Sequence, residues 1–135
     1  MGDVAFSFGV GIGTLSTPLN ARTALGMDGE AFHRARAALQ YSKKHKHHIW
    51  FDFDNPAVGL VNALVGSLEK GWTLLNPKQQ MIAELMRKDQ RQVVVARKLK
   101  VTQQYISKAL RTTTMNEMID AETALQKFLG ALKCE

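Results

Sequence analysis

The sequence predicts an α+β fold, in which a small β-α-β portion, an incomplete α/β domain, precedes an all-α domain with a helix-turn-helix. Two observations carry this prediction. Apolar residues alternate with small or polar ones in two short stretches of the first half, whereas they recur at three- and four-residue steps in the second half. We expect the α/β portion to span residues 1–55, the helical domain residues 56–135 and the helix-turn-helix residues 90–112.

The first half contains two predicted strands with a helix between them. Residues 4–13 alternate apolar side chains with glycine, alanine or serine, which is typical of a strand with one nearly bare face that a helix or a ligand can approach closely. Residues 30–41 have helical spacing, and residues 49–53 alternate again. Two strands seldom form a stable sheet alone. The sheet therefore needs more chain before Met1, a second subunit or cover from the helical half.

The second half is predicted to be helical throughout. A helix over residues 57–70 can end at Gly71, and Asn76 followed by proline begins the next helix. The last helix, over residues 114–132, opens with a capping box at Thr114 and has a strongly apolar face. That face either covers the helical core or pairs with a second copy of the chain, and we favour a homodimer.

Between these helices, residues 92–111 have the pattern of a helix-turn-helix. Such a motif needs apolar residues where its helices face each other and a small residue where they cross. Six residues supply this pattern: Val95, Ala96, Leu99, Val101, Ile106 and Ala109. Asp89 and Thr102 are the expected N-caps. Lys100 stands at the turn, where glycine is usual because the backbone often takes a positive φ.

The second helix of this motif would present polar and basic side chains outward. Glutamine can pair with adenine in the major groove, lysine and arginine reach guanine or phosphate, and serine or threonine takes either role. With the flanking cations, the predicted DNA-binding residues are Arg91, Arg97, Lys98, Lys100, Thr102, Gln103, Gln104, Tyr105, Ser107, Lys108 and Arg111. We expect Arg97 and Lys98 to contact the phosphate backbone.

The distribution of charge agrees with this interpretation. Residues 87–111 contain eight basic side chains and one acid, a net charge of +7, whereas the whole chain is +6. Positive charge is therefore concentrated on the predicted DNA-reading segment, as a partner with a phosphate backbone requires.

Other function classes find less support in the sequence. No apolar run approaches the roughly 20 residues of a membrane span, and the start lacks a secretory signal, so we expect a cytoplasmic protein. Cys134 is the one cysteine, which rules out an internal disulfide. We interpret residues 43–48, which consist of three lysines and three histidines, as a solvated basic loop and not a metal site. No catalytic residue and no cofactor is predicted.

Several stretches together resemble the bacterial SatD family: Phe8-Gly9-Val10-Gly11-Ile12-Gly13, the run from Asp28 to Arg36, Gly71-Trp72-Thr73, Gln79-Gln80 and the helix-turn-helix from Gln92 to Leu110. The resemblance covers almost the entire chain. It implies a C-terminal helix-turn-helix, a regulatory role and an additional N-terminal segment with a strand and an early aspartate, which this sequence lacks.

The predicted function is therefore sequence-specific binding of double-stranded DNA, as a transcriptional regulator. One alternative follows from a distant likeness of the first half to the later part of a class III nucleotide cyclase core: a nucleotide-binding fragment with an accessory helix-turn-helix. Its ligand would bind near residues 9–13. The other alternative is a protein-interaction adaptor that uses the basic helices on an acidic partner.

Overall fold

The computed structural model describes residues 6–18, 22–23, 26–88 and 90–132, and these residues form two strands and six helices. In chain order the elements are β1 (Phe8–Ile12), α1 (Glu30–His45), β2 (Ile49–Phe53), α2 (Val58–Leu74), α3 (Pro77–Arg87), α4 (Gln92–Leu99), α5 (Gln103–Thr112) and α6 (Met115–Ala131). The predicted α+β class is confirmed. Residues 4 and 5 of the predicted first strand lie outside the described residues, and α1 continues four residues beyond its predicted end.

The chain divides into two compact units, one formed mainly by residues up to Gly66 and the other by Ser67–Ala131. The division falls within α2, whereas the sequence places a boundary at residue 55. The first turns of α2 belong to the first unit because the Asn62 side chain pairs with β2. Its Oδ1 accepts the backbone N–H of Phe51 at 2.8 Å, and its Nδ2 donates to the carbonyl of Phe51 at 2.9 Å. This buried amide thus covers part of the outer edge of β2.

In the first unit, β1 and β2 pair in parallel, with Phe8 opposite Ile49 and Ile12 opposite Phe53. Helix α1 packs on the glycine face of β1. A Cβ added to Gly9 would lie 2.3 Å from the carbonyl oxygen of Ala35, and one added to Gly11 would lie 2.2 Å from that of Ala31. The bare face predicted for this strand is therefore filled by the backbone of α1.

A polar contact joins α1 to β2 on the same face. Arg34 donates to the Glu30 carboxylate at 2.6 Å and to the Asp52 carboxylate at 3.2 Å. The hydrogen bond and charge of Arg34 lower the pKa of Glu30 below its ordinary value. Because Glu30 lies in the first turn of α1, its negative charge also suits the positive end of the helix dipole.

The second unit is built on a core of large buried side chains. Ile82, Val95, Ile106 and Met115 are fully buried, one each from α3, α4, α5 and α6. The rest of this core consists of Leu75, Ala83, Ala96, Ala109, Leu110 and Met118. The start of α6 therefore covers the core formed by α3, α4 and α5.

Several helix ends differ from the sequence prediction. Gly71 lies inside α2 and does not end it. Met118 packs beside it, and a Cβ at Gly71 would lie 2.9 Å from the Met118 sulfur. Helix α4 begins at Gln92 with Arg91 at its N-cap position, not near Gln90, and Asp89 is outside the described residues. At the start of α6, where the sequence predicts a capping box at Thr114, the Thr114 hydroxyl contacts the Met118 sulfur at 3.5 Å.

Other predicted ends are confirmed. Asn76 caps α3 through a reciprocal capping box, in which its side chain accepts the Gln79 N–H and the Gln79 side chain accepts the Asn76 N–H, both at 2.9 Å. Among the described residues, no helix has the length and apolar character needed to cross a membrane.

Candidate nucleic-acid interface

Helices α4 and α5 are joined by a tight turn at Lys100. Lys100 adopts the left-handed conformation, with φ 54° and ψ 44°, at the position where the sequence pattern leads us to expect a positive φ. The Val101 N–H bonds back to the Ala96 carbonyl at 3.0 Å, and the Lys100 N–H to that of Arg97 at 3.3 Å. These are the two bonds of a Schellman motif, which ends α4 sharply and redirects the chain into α5.

Thr102 fixes the start of α5. Its hydroxyl oxygen accepts the backbone N–H of Tyr105 at 3.2 Å, so the predicted N-cap is confirmed. Thr102 is also among the DNA-binding residues predicted from the sequence. The structure shows a capping bond at this exposed side chain.

Helix α5 has two sharply different faces. Ile106, Ala109 and Leu110 are buried in the core of the second unit. Gln104, Lys108 and Arg111 are exposed on the opposite side, and Gln103 is exposed in the first turn. Gln104 and Lys108 lie one helical turn apart and so share one edge of the helix. Packing of the buried face therefore fixes the position of this edge.

The remaining predicted residues fall into two groups. Four cations on α4 and its ends are exposed: Arg91, Arg97, Lys98 and Lys100. Ser107 is half-buried, and the ring of Tyr105 lies under the Lys78 ammonium, 4.7 Å from Nζ to the ring centroid. Tyr105 is thus engaged by α3, although 39% of it is exposed.

The cations near α5 differ from those that the sequence predicts. Arg87 belongs to the basic segment in sequence, but it donates to the Glu122 carboxylate at 2.8 Å and lies over the Trp72 ring at 4.6 Å. Its charge is therefore compensated within the unit. Lys78, exposed in the first turn of α3, lies beside α5 through Tyr105. Sequence reasoning missed Lys78 because nothing in the local pattern places the start of α3 next to α5.

Residues 43–48 are predicted from the sequence to form a solvated basic loop. Within the described part of the chain, no group of three histidine, cysteine, aspartate or glutamate residues is placed to hold a metal ion. His45 and His47 instead stack on neighbouring aromatic rings. Cys134 lies outside the described residues.

Comparison with known proteins gives one result. The family model described as "SatD family (SatD)" matches residues 1–129, nearly the whole chain. Searches of curated proteins and of solved structures found no match. Because the family model covers both compact units, the chain belongs to the SatD family.

Proposed function

We propose that this chain binds double-stranded DNA in a sequence-specific manner, with α5 as the helix that reads the bases, and acts as a transcriptional regulator. The observation that carries the proposal is the division of α5 into a buried face and an exposed edge of two glutamines, a lysine and an arginine. A helix mounted in this way enters a major groove with its donors and acceptors free for base edges.

The chemistry of the exposed residues gives each a role. The amide of Gln104 can pair with adenine, and Lys108 can reach the acceptors of guanine one helical turn further along. Arg97, Lys98 and Lys100 lie on α4 and at the turn, where they are suited to phosphates on either side of the groove. Lys78 extends the same positive surface. The proposal thus assigns base reading to α5 and backbone contacts to α4 and the start of α3.

The regulator we propose is a homodimer that acts in the cytoplasm. Two copies would place their α5 helices in successive major grooves about 34 Å apart, which matches one turn of duplex DNA. The second half of α6 supports this assembly, since Leu125 and Leu129 are only half-buried in the single chain.

The nucleotide-binding alternative depends on close approach to the glycines of β1. Gly9 and Gly11 give that close approach to α1, whose backbone lies within 2.3 Å of the position of an added Cβ. No observation favours a nucleotide at this face over the helix that packs there.

The test is a titration of duplex DNA at several salt concentrations. Release of counterions by about four to six phosphate contacts should give a log–log slope of affinity against salt near −4 to −5. The double variant Arg97→Gln/Lys98→Gln should bind all duplex sequences more weakly. The control variant Lys70→Gln/Lys127→Gln also removes two positive charges, from exposed positions on α2 and α6, and should bind as the unaltered chain does.

Two results would contradict the proposal: affinity that does not respond to salt, or an equal loss in both double variants. The first would exclude phosphate contacts. The second would mean that overall charge, and not the surface of α4 and α5, attracts DNA.

A further inference from the structure

A second basic surface lies in the first unit, where α1 ends and β2 begins. We call residues 41–50 the α1–β2 corner. It contains three lysines, three histidines and no acidic residue: Lys43, Lys44, Lys46, His45, His47 and His48. Five of these six side chains are exposed, and His47 is half-buried. On charge alone this is the solvated basic loop that the sequence predicts.

The aromatic rings of the corner add a feature that charge does not explain. The Tyr41 ring stacks on His45, with 4.1 Å between centroids, and on Trp50, at 4.3 Å. His47 stacks on Trp50 at 4.8 Å. Four rings from α1, the turn and β2 thus form one stacked group at the surface, and 41% of Tyr41 is exposed. Stacked rings among lysines are the combination that holds unpaired bases and their phosphates.

The turn that carries these rings is held in one conformation. Ser42 is fully buried, and its hydroxyl donates to the His47 carbonyl at 2.7 Å. The His47 N–H in turn bonds to the Ser42 carbonyl at 2.9 Å, and Lys46 adopts the left-handed conformation at φ 58°. These bonds restrain the backbone of the turn, which lowers the entropy cost of ordering it when a ligand binds at the rings.

We propose that the α1–β2 corner binds single-stranded nucleic acid, with bases stacking on the ring group and Lys43 and Lys44 contacting phosphates. A duplex keeps its bases stacked on each other and offers no free base face to a surface ring, whereas an unpaired strand offers one at each nucleotide. A membrane surface or an acidic protein would satisfy the lysines but would leave the stacked rings without a role. This site is separate from α5 and does not rest on the duplex-binding proposal.

The experiment measures binding of a fluorescent oligothymidylate of about 12 nucleotides, within the range of single-strand site sizes. The chain used carries Arg97→Gln/Lys98→Gln, which weakens the duplex-binding surface. A second oligonucleotide has the same phosphates but abasic sugars. We expect the base-bearing strand to bind at least about fivefold more tightly, because its bases can stack on the aromatic side chains and abasic sugars cannot.

Variants of the corner then locate the site. Lys43→Gln/Lys44→Gln should lower affinity for the oligothymidylate about tenfold, as expected from losing two phosphate contacts. Lys70→Gln/Lys127→Gln, with the same change in charge, should not. His45→Ala should lower affinity about fivefold. His45→Phe keeps a ring without the imidazole and should restore it.

Equal affinity for the base-bearing and abasic strands would overturn the proposal, because it would show that the corner binds the phosphates and not the bases. Equal losses in the two lysine pairs, or no loss in His45→Ala, would also overturn it. So would weaker binding of the corner variants to vesicles of anionic lipid with unchanged binding to the oligonucleotide. Loss of duplex binding in Arg97→Gln/Lys98→Gln has no bearing on these outcomes, so the two proposals fail separately.

Discussion

The two compact units achieve close packing in opposite ways. In the first unit, α1 rests on β1 where Gly9 and Gly11 have no side chains, so backbone meets backbone. In the second unit, α3–α6 meet through large buried side chains, among them Ile82 and Ile106. The contact between α1 and β1 requires that Gly9 and Gly11 have no Cβ atom, whereas the core of α3–α6 requires large side chains that fill it. A glycine contact fails when volume is added, and a side-chain core fails most readily when volume is removed.

The largest loss of stability in the first unit should follow from adding a single methyl group at Gly11. Gly11→Ala places a Cβ about 2.2 Å from a backbone carbonyl that cannot rotate away, so we expect a loss of unfolding free energy of about 3 kcal/mol or more. Chemical denaturation followed by Trp50 fluorescence in a Trp72→Phe chain measures this, because Trp50 lies in β2.

Gly66→Ala is the control for this change. It lies within α2, and an added Cβ meets nothing within 4 Å, so alanine should instead raise stability by roughly 0.5 to 1 kcal/mol. If Gly11→Ala were as stable as the unaltered chain, the close contact between α1 and β1 would be refuted.

Removal of volume from the second unit should have an effect of similar size. Ile106 is fully buried between α5 and its neighbours, so Ile106→Ala should cost about 2 to 5 kcal/mol through lost burial and a residual cavity. Trp72 fluorescence in a Trp50→Phe chain reports this unit. Val93→Ala, on an exposed position of α4, should cost far less. Similar costs for the two variants would mean that Ile106 is not in the core.

Each unit has a lysine in the left-handed conformation at the end of a helix. Replacing this lysine by glycine should raise the stability of the unit slightly. Lys100→Gly should stabilise the second unit by roughly 0.5 to 1 kcal/mol relative to Lys100→Ala, since both remove the charge but glycine alone avoids the Cβ strain. Lys46→Gly should behave likewise in the first unit. Thermal melting of the glycine and alanine variants gives the difference, and equal melting temperatures would argue against the strained turn.

Much of this architecture could be predicted because it depends on neighbours in sequence. The alternation around β1 and β2, the caps at Asn76 and Thr102 and the positive φ at Lys100 each follow from residues a few positions apart. The exposed edge of α5 followed from the same helical spacing. These features require no knowledge of which elements meet.

The features that the sequence did not predict depend on distant contacts. A glycine after an amphipathic stretch predicts a helix end, but Gly71 remains helical, with Met118 packed beside it. Arg87 contributes to the predicted charge of the basic segment, but its charge is compensated by Glu122, 35 residues away. Lys78 reaches Tyr105 only because the fold brings the start of α3 close to α5.

The central claim is that α5 reads DNA bases from its exposed edge, and two substitutions test it most directly. A preferred duplex is first selected from random sequence with the unaltered chain. Gln104→Ala and Lys108→Ala are then compared for affinity toward that duplex and a scrambled one, with melting measured alongside. Ala96→Leu, at the buried crossing of α4 and α5, is the structural control and should lose about 1 to 3 kcal/mol of stability.

We predict that Gln104→Ala and Lys108→Ala change stability by less than roughly 0.5 kcal/mol, because both sites are exposed. Each should reduce the preference for the selected duplex by about 1 to 3 kcal/mol, the contribution of one base contact. If both variants keep the full preference while remaining folded, α5 does not read DNA, and the adaptor hypothesis becomes the better account of this basic surface.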